Sequence, residues 1–302
     1  MSNSTKEIQR RRKSAKNIQQ ITSAMETVSA TKMRRAQDRA VAGRAYAEKA
    51  FLMLQSLAKT LNVNEHPLLM KKQTNLQIVA LISPDKGLVG ALNTNMFRKV
   101  DEFLKEQDKK GKTTHFITAG KKATNYVKKT GRELLAEFPS FDGNFSTEDA
   151  GKFTESLITP YTQGTYDKVI MAFTNFYSTL SQKPFIRGVL PLTHEKIEDL
   201  GDLRDDVKEK LETLPVAPDY IFEPGRAEVL EKLLPRLVST LVYHNLLEAN
   251  ASEHSARMIA MKNASDNASE LIDDLTLTFN RLRQEGITKE LAEISAGAAS
   301  SK

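Results

Sequence analysis

The chain has 302 residues, 40% of them hydrophobic, with no Cys and a formal charge of +6, enough for a sizeable core and for more than one structural unit. Without Cys, disulfides, thiolate nucleophiles and Cys-ligated metals are excluded within the sequence. The start, MSNSTKEIQRRRKSAK, is basic with no apolar run behind it, and no segment reaches the roughly 18 apolar residues of a membrane span, so a soluble protein without a secretory signal is expected.

Residues 1–66 contain no Pro and a single Gly, Gly43. Stretches of about 60 residues without breakers far exceed the usual helix of about 11–12 residues, and predict a helix that could reach roughly 90 Å if unbroken. Ile18, Ile21, Met25 and Val28 follow a 3-4-3 spacing, but the next steps land on Lys32 and Arg35. A helix whose apolar stripe turns basic is expected to meet something besides a helical partner there. Ala, Ser and Thr in ITSAMETVSATKMRRAQ (21–37) are small enough to permit close approach.

Residues 67–225 change character. NLQIVALI (75–82) reads as a strand covered on both faces. After the loop SPDKGLVGALN (83–93), Met96, Phe97, Val100, Phe103 and Leu104 have helical spacing. KTTHFIT (112–118) is strand-like, and AGKKATNYVKKTG (119–131) a short helix closed by Gly131. FSTEDAGKFTESLITPYTQ predicts a helix capped by Ser146 or Thr147 with Asp149 nearby. YDKVIMAFTNF (166–176) is a further strand and KPFIRGVLPL (183–192) its candidate neighbour. Alternating strand and helix signals predict an α/β sheet domain, followed over 193–225 by a loop or mobile connection rich in Pro, Gly and charge.

Residues 236–302 again lack Pro and hold only Gly286 and Gly297. Leu230, Leu233, Leu234, Leu237, Val238, Leu241 and Val242 form a broad stripe suited to packing on a domain, with Pro235 expected to kink or reorganise the helix start. Met258, Met261, Ser265, Ala268, Ile272, Leu275, Phe279 and Leu282 then recur at 3-4-3-4-3-4-3, a heptad stripe. An amphipathic helix on a globular core is the competing reading, and the length of the run favours the coiled coil. Residues 1–44 carry eleven Lys or Arg against three acids, whereas 248–296 carry nine acids against five bases. If both helices project from the same side of the sheet domain they lie antiparallel, and their charges attract. The expected division is therefore 1–66, a coiled-coil helix; 67–225, the α/β domain; and 226–302, the helix that pairs with 1–66.

A search for catalytic chemistry finds little. The five His show neither HxxxH nor HxH spacing, and a lone His on a helix, such as His254, reads as solvated or capping. There is no GxSxG and no Walker motif. The loop of Asp85, Gly87, Gly90 and Asn93 could seat a phosphate at a helix N-terminus, but it lacks GxGxxG, and a tight strand-to-helix turn needs glycines anyway. RRRK (10–13) suggests nucleic acid, yet no aromatic interleaves with the bases before Tyr46 and the bases fall on several helix faces, so a solvated or partner-facing run is preferred.

IQRRRKSAKNIQQITSAMETVSATKMRRAQ (8–37), DKGLVGALN (85–93), SEHSARMIAMKNASDNA (252–268) and RLRQEGITKELAEISAGAA (281–299) together resemble the γ subunit of F-type ATP synthase, the central rotor stalk. The resemblance covers both ends and the first loop of the α/β domain, and is weaker from about 110 to 225. It implies an antiparallel coiled coil of the terminal helices with a Rossmann-like α/β domain at its foot. The partners it implies are a ring of three α and three β subunits, the ε subunit and the membrane c-ring, with no nucleic acid and no direct membrane insertion. By motif, Met25, Lys32 and Arg35 are expected at the mobile C-terminal domains of β, and Arg283, Gln284 and Thr288 at a catch loop of β. Arg257 is expected to tie the lower shaft, and Asp85, Gly87, Gly90 and Asn93 to form a structural loop. The resemblance implies no catalytic residue, metal or cofactor in this chain, and a peripheral position on the cytoplasmic face of the cell membrane within F1. Two departures are Pro84, expected to stiffen its turn, and Gly286, expected to loosen its helix by about 1 kcal/mol relative to Ala.

Overall fold

β1 (Leu76–Ile82) alternates between two apolar environments, and that alternation lays out the α/β part of the fold. The computed structural model describes residues 3–58, 66–142, 145–192 and 225–300. Of the connection expected over 193–225, residues 193–224 lie outside the described residues. In chain order the other elements are α1 (Asn3–Ala58), α2 (Leu92–Lys109), β2 (Thr113–Ala119), α3 (Lys121–Thr130), β3 (Leu134–Phe138), α4 (Thr147–Thr162), β4 (Lys168–Ser178), β5 (Ser181–Leu190) and α5 (Arg226–Ser300). The chain divides into two compact units, one of Met1–Thr31 with Arg257–Lys302 and one of Lys32–Ala256.

In the larger unit the sheet has the order β3-β2-β1-β4-β5. β1 pairs in parallel with β2 and β4, β3 pairs in parallel with β2, and β5 returns antiparallel along β4. Ile78, Ala80 and Ile82 face a core shared with Phe153 and Leu157 of α4 and with Leu230, Leu234 and Val242 of α5. Val79 and Leu81 face the opposite layer, built from Met96 and Val100 of α2 and Val127 of α3. Burial on both sides is why β1 reads as an uninterrupted apolar run.

Local signals set the helix ends. Ser146 caps α4 by accepting from the N–H of Asp149 at 3.1 Å, while the Asp149 carboxylate accepts from the N–H of Ser146 at 2.9 Å, a reciprocal capping box. Gly131 closes α3 in the left-handed conformation, with φ 69°. α5 runs through Pro235 rather than starting after it. A proline inside a helix costs about 3 kcal/mol, and the buried Leu230, Leu234, Leu237 and Val238 around it supply the compensating packing.

The smaller unit is an antiparallel two-helix coiled coil. On α5 the heptad positions read from sequence are the least exposed ones: Met261 and Ala268 are buried, and Ile272, Leu275, Phe279 and Leu282 half-buried. On α1 the outcome differs. Ile18, Ile21 and Val28, read as the seam, are 51%, 60% and 56% exposed. The buried positions are instead Thr5, Ala15, Thr22 and Ser29, with Ile8, Arg12 and Gln19 half-buried between them. Large side chains of α5 thus face small ones of α1, and Arg12 lies over the Phe279 ring, 5.0 Å from its centroid. Two hydroxyls of this seam bond back to α1 itself. Thr22 Oγ1 donates to the carbonyls of Ile18 and Gln19, and Ser29 Oγ to that of Met25 at 2.7 Å. Thr22 and Ser29 therefore need no polar partner from α5.

A leucine at Ala15 overfills this seam and should destabilise the chain by about 1–3 kcal/mol. Ile18→Ala should change stability by less than about 0.5 kcal/mol. Denaturant unfolding of the two variants checks the assignment; the reverse order would restore the apolar stripe as the seam.

Candidate functional site

In an open parallel sheet a nucleotide binds where the strand order reverses, outside the C-terminal strand ends. Here that place lies between β1 and β4, and α5 covers it. Leu246, Ala249, Asn250 and Glu253 of α5, with Ile82, Ser83, Pro84, Leu92, Phe141 and Thr174, leave a cavity of only about 20 Å³. That is room for about one water, whereas ligand pockets run to roughly 300–1,000 Å³. α5 is stitched down along this edge. Glu248 accepts from the N–H of Phe176 at 3.3 Å, Ser252 donates to the carbonyl of Thr174 at 3.0 Å, and Ser255 donates to that of Thr179 at 2.7 Å.

The loop of Asp85, Gly87, Gly90 and Asn93 is built as a brace. It ties down the first N–H groups of α3: Lys121 donates to Asp85 Oδ1 at 2.8 Å, Lys122 to the carbonyl of Pro84 at 3.3 Å, and Ala123 to Ser83 Oγ at 2.6 Å. Asp85 also places its carboxylate at the positive end of that helix. Gly120 makes the close approach possible, since a Cβ there would sit 1.9 Å from the Ser83 carbonyl oxygen. Gly87 has open space around it, Gly90 turns with φ +56°, and Val89 is buried between them. Asn93 is half-buried, and its Oδ1 meets no donor among the described residues.

The residues expected at a β partner are distributed unevenly. Met25 is half-buried on α1, and Arg35 is exposed. Lys32 is engaged inside the chain, 3.0 Å from both carboxylate oxygens of Asp142. Arg257 is 8% exposed on α5. Arg283, Gln284 and Thr288 are all exposed. Gln284 and Thr288 line a shallow surface depression with Arg281, Glu285, Lys289 and Ala292, whereas Arg283 does not. At about 100° per residue, Arg283 falls instead on the side of Ile287, Leu291 and Ile294, which are 50%, 60% and 69% exposed. The basic run at 10–13 is likewise split: Arg11 pairs with Glu7 at 2.7 Å while Arg12 lies over Phe279.

Sequence reasoning missed Asp142 and misread His254. Far from being solvated, His254 is 1% exposed, with Nε2 2.9 Å from Asp142 Oδ1. The Asp142 carboxyl is held well below the usual carboxylate range, first by the hydrogen bond from His254, against an opposing push from burial, and then by Lys32. Nothing in a local motif marks a pairing between residues so far apart in sequence.

A family model described as ATP synthase matches residues 4–300. The ATP synthase gamma chain of Roseiflexus sp. (strain RS-1) is 40% identical over 300 residues, covering 98% of each chain. The chain belongs to the ATP synthase gamma-chain family. A second gamma chain, from Opitutus terrae, is 40% identical over 294 residues and covers 97% of each chain. Among solved structures, the fold matches a chain of the Euglena gracilis mitochondrial ATP synthase in its OSCP/F1/c-ring assembly, with TM-score 0.66 and 20% identity over 98% of this chain and 94% of that one. It also matches a chain of the Tetrahymena thermophila mitochondrial ATP synthase central stalk and c-ring, with TM-score 0.58 and 21% identity over 81% of this chain and 99% of that one. Gamma-chain membership fits a long two-helix unit joined to a sheet whose nucleotide crevice is filled. No described helix is long and apolar enough to cross a membrane.

Two consequences can be measured. Because the folded carboxyl of Asp142 is depressed, its stabilising contribution is complete above about pH 4 and lost as pH falls toward the folded value. Asp142→Asn should therefore lower stability at pH 7, with the gap to the parent chain narrowing below about pH 4; a gap independent of pH contradicts this. At Gly286 nothing lies within 4 Å of an added Cβ, so Gly286→Ala should raise stability by about 1 kcal/mol in thermal melts, and no change would count against a loosened helix.

Proposed function

We propose that the chain is the turning central shaft of an F-type ATP synthase. It carries rotation between a membrane c-ring and a catalytic ring of three α and three β subunits, coupling proton flow to ATP synthesis or hydrolysis. The observation that best supports this is how the two-helix unit uses its side chains. Small residues form the α1 seam, while Ile18, Ile21 and Val28 of α1 and Leu271, Leu277 and Ile287 of α5 point outward. Exposed apolar side chains in such number call for a covering partner, and a sleeve around the rod supplies one.

In this reading residues 1–66 and 226–302 make the shaft, and residues 67–225 the foot that meets the ε subunit and the c-ring. Met25, Lys32 and Arg35 engage the mobile C-terminal domains of β, Lys32 while it stays paired with Asp142. Gln284 and Thr288 present hydrogen-bonding groups to a catch loop of β on one side of α5, and Arg283 reaches it from the other. Arg257 stabilises the lower shaft. The chain has no catalytic residues and takes no cofactor, metal or nucleic acid; nucleotide sites belong to the α/β ring. It works as a peripheral protein on the cytoplasmic face of the cell membrane, within F1, without inserting into the bilayer.

The test is reconstitution of α and β with and without this chain, with a probe fixed to its α/β domain. ATP hydrolysis that requires the chain and turns the probe is the expected result, together with no hydrolysis by the chain alone. Equal hydrolysis without the chain, or binding of the chain to DNA or RNA that weakens steeply with salt, would overturn the reading.

A further inference from the structure

Two helices of the α/β unit converge on one carboxylate. Asp142, in the loop after β3, is contacted by Lys32 Nζ of α1 at 3.0 Å and by His254 Nε2 of α5 at 2.9 Å. The backbone beside it is held too. The carbonyl of Phe141 accepts from Nδ2 of Asn250, one turn before His254 on α5. The Phe141 ring stands edge-on to Phe145 and Phe153, at 5.2 and 5.4 Å between centroids. Along the chain, Lys32 is the first residue of this unit on α1, and Ala256 its last on α5. The carboxylate therefore grips both helices at the ends of their run through the unit.

Packing and ionic contacts resist twisting differently. Apolar contact is non-directional, so a helix can rotate slightly on the sheet while keeping most of its buried area. A charge-assisted hydrogen bond has a fixed length and direction, and separating a buried histidine from its carboxylate leaves polar groups without compensation. Asp142 makes such bonds to Lys32 of α1 and a close contact of 2.9 Å to the His254 imidazole of α5.

We propose that Asp142 is a torque-clamping residue, a positioning group that fixes both terminal helices to the α/β domain so that twist is passed between them without slip. This rests on the rotor reading. The test uses the complete enzyme in proton-tight vesicles, carrying Asp142→Asn, Asp142→Glu or His254→Gln. In the assembled enzyme Asp142→Asn should speed amide exchange across residues 250–256 by about tenfold, as expected when a contact that anchors a helix segment is weakened. It should also reduce the protons pumped per ATP hydrolysed. Asp142→Glu, which keeps the carboxylate, should restore part of both, and His254→Gln should show an intermediate loss. Unchanged exchange would overturn the proposal, and so would faster exchange with an unchanged pumping ratio, which is what a purely structural contact gives. Failure of the rotor reading is a separate result, namely hydrolysis that is indifferent to the presence of this chain.

Discussion

Close approach of two long helices is the constraint on which the rest depends. α1 meets α5 through Thr5, Ala15, Thr22 and Ser29, all under 9% exposed, so α5 can bring Met261, Leu275 and Phe279 against it without wedging the pair apart. Filling gaps by setting large residues against small ones reaches native packing with few voids. The hydroxyls of Thr22 and Ser29 bond back to their own helix, so these two positions can be packed over without a polar partner from α5. The apolar side chains that α1 does not spend on the seam are left for its outer face.

α5 has a second task. Its first half supplies Leu230, Leu234, Leu237, Val238, Val242 and Leu246 to the core beneath the sheet. Its middle lays Asn250 and Glu253 over the crevice that a nucleotide would use in a related sheet. One helix thus completes the core of the α/β unit and closes its binding crevice, and further along gives its heptad stripe to the coiled coil. The crevice that holds nucleotide in an open parallel sheet is here filled by α5.

Much of this was legible in the sequence, and the misses have physical causes. β1, α2, β2, α3, α4, β4 and β5 follow from apolar runs, helical spacing and turn residues, and the heptad stripe of α5 matches its burial. β3 escaped notice because RELLAEF is a short edge strand whose burial only alternates. The α1 seam was misplaced by one residue, about 100° of helix rotation. Hydrophobicity marks where something apolar will be met, but not whether that is the partner helix or another subunit. The true register was visible as Ala15, Thr22, Ser29 and Ala36, seven apart and all small. Among the motif-derived residues, Gln284 and Thr288 share a side of α5 while Arg283 does not, a division that follows from helix geometry but not from the motif as a string. His254 and Asp142 were beyond reach, since their pairing depends on tertiary placement alone.

The antiparallel seam is the central claim, and paired spin labels test it most directly. The chain contains no Cys, so labels can be placed without removing native thiols. One pair replaces the exposed Ser14 and Leu277, the other the exposed Thr27 and Asn263, in the assembled enzyme. With helix axes about 8–10 Å apart, both pairs should give short distances of roughly 20 Å once label length is added. In a parallel pair the axial offsets of the two label pairs sum to about 40 Å at a rise of 1.5 Å per residue, so both cannot be short, and either pair at about 28 Å or beyond would contradict the account.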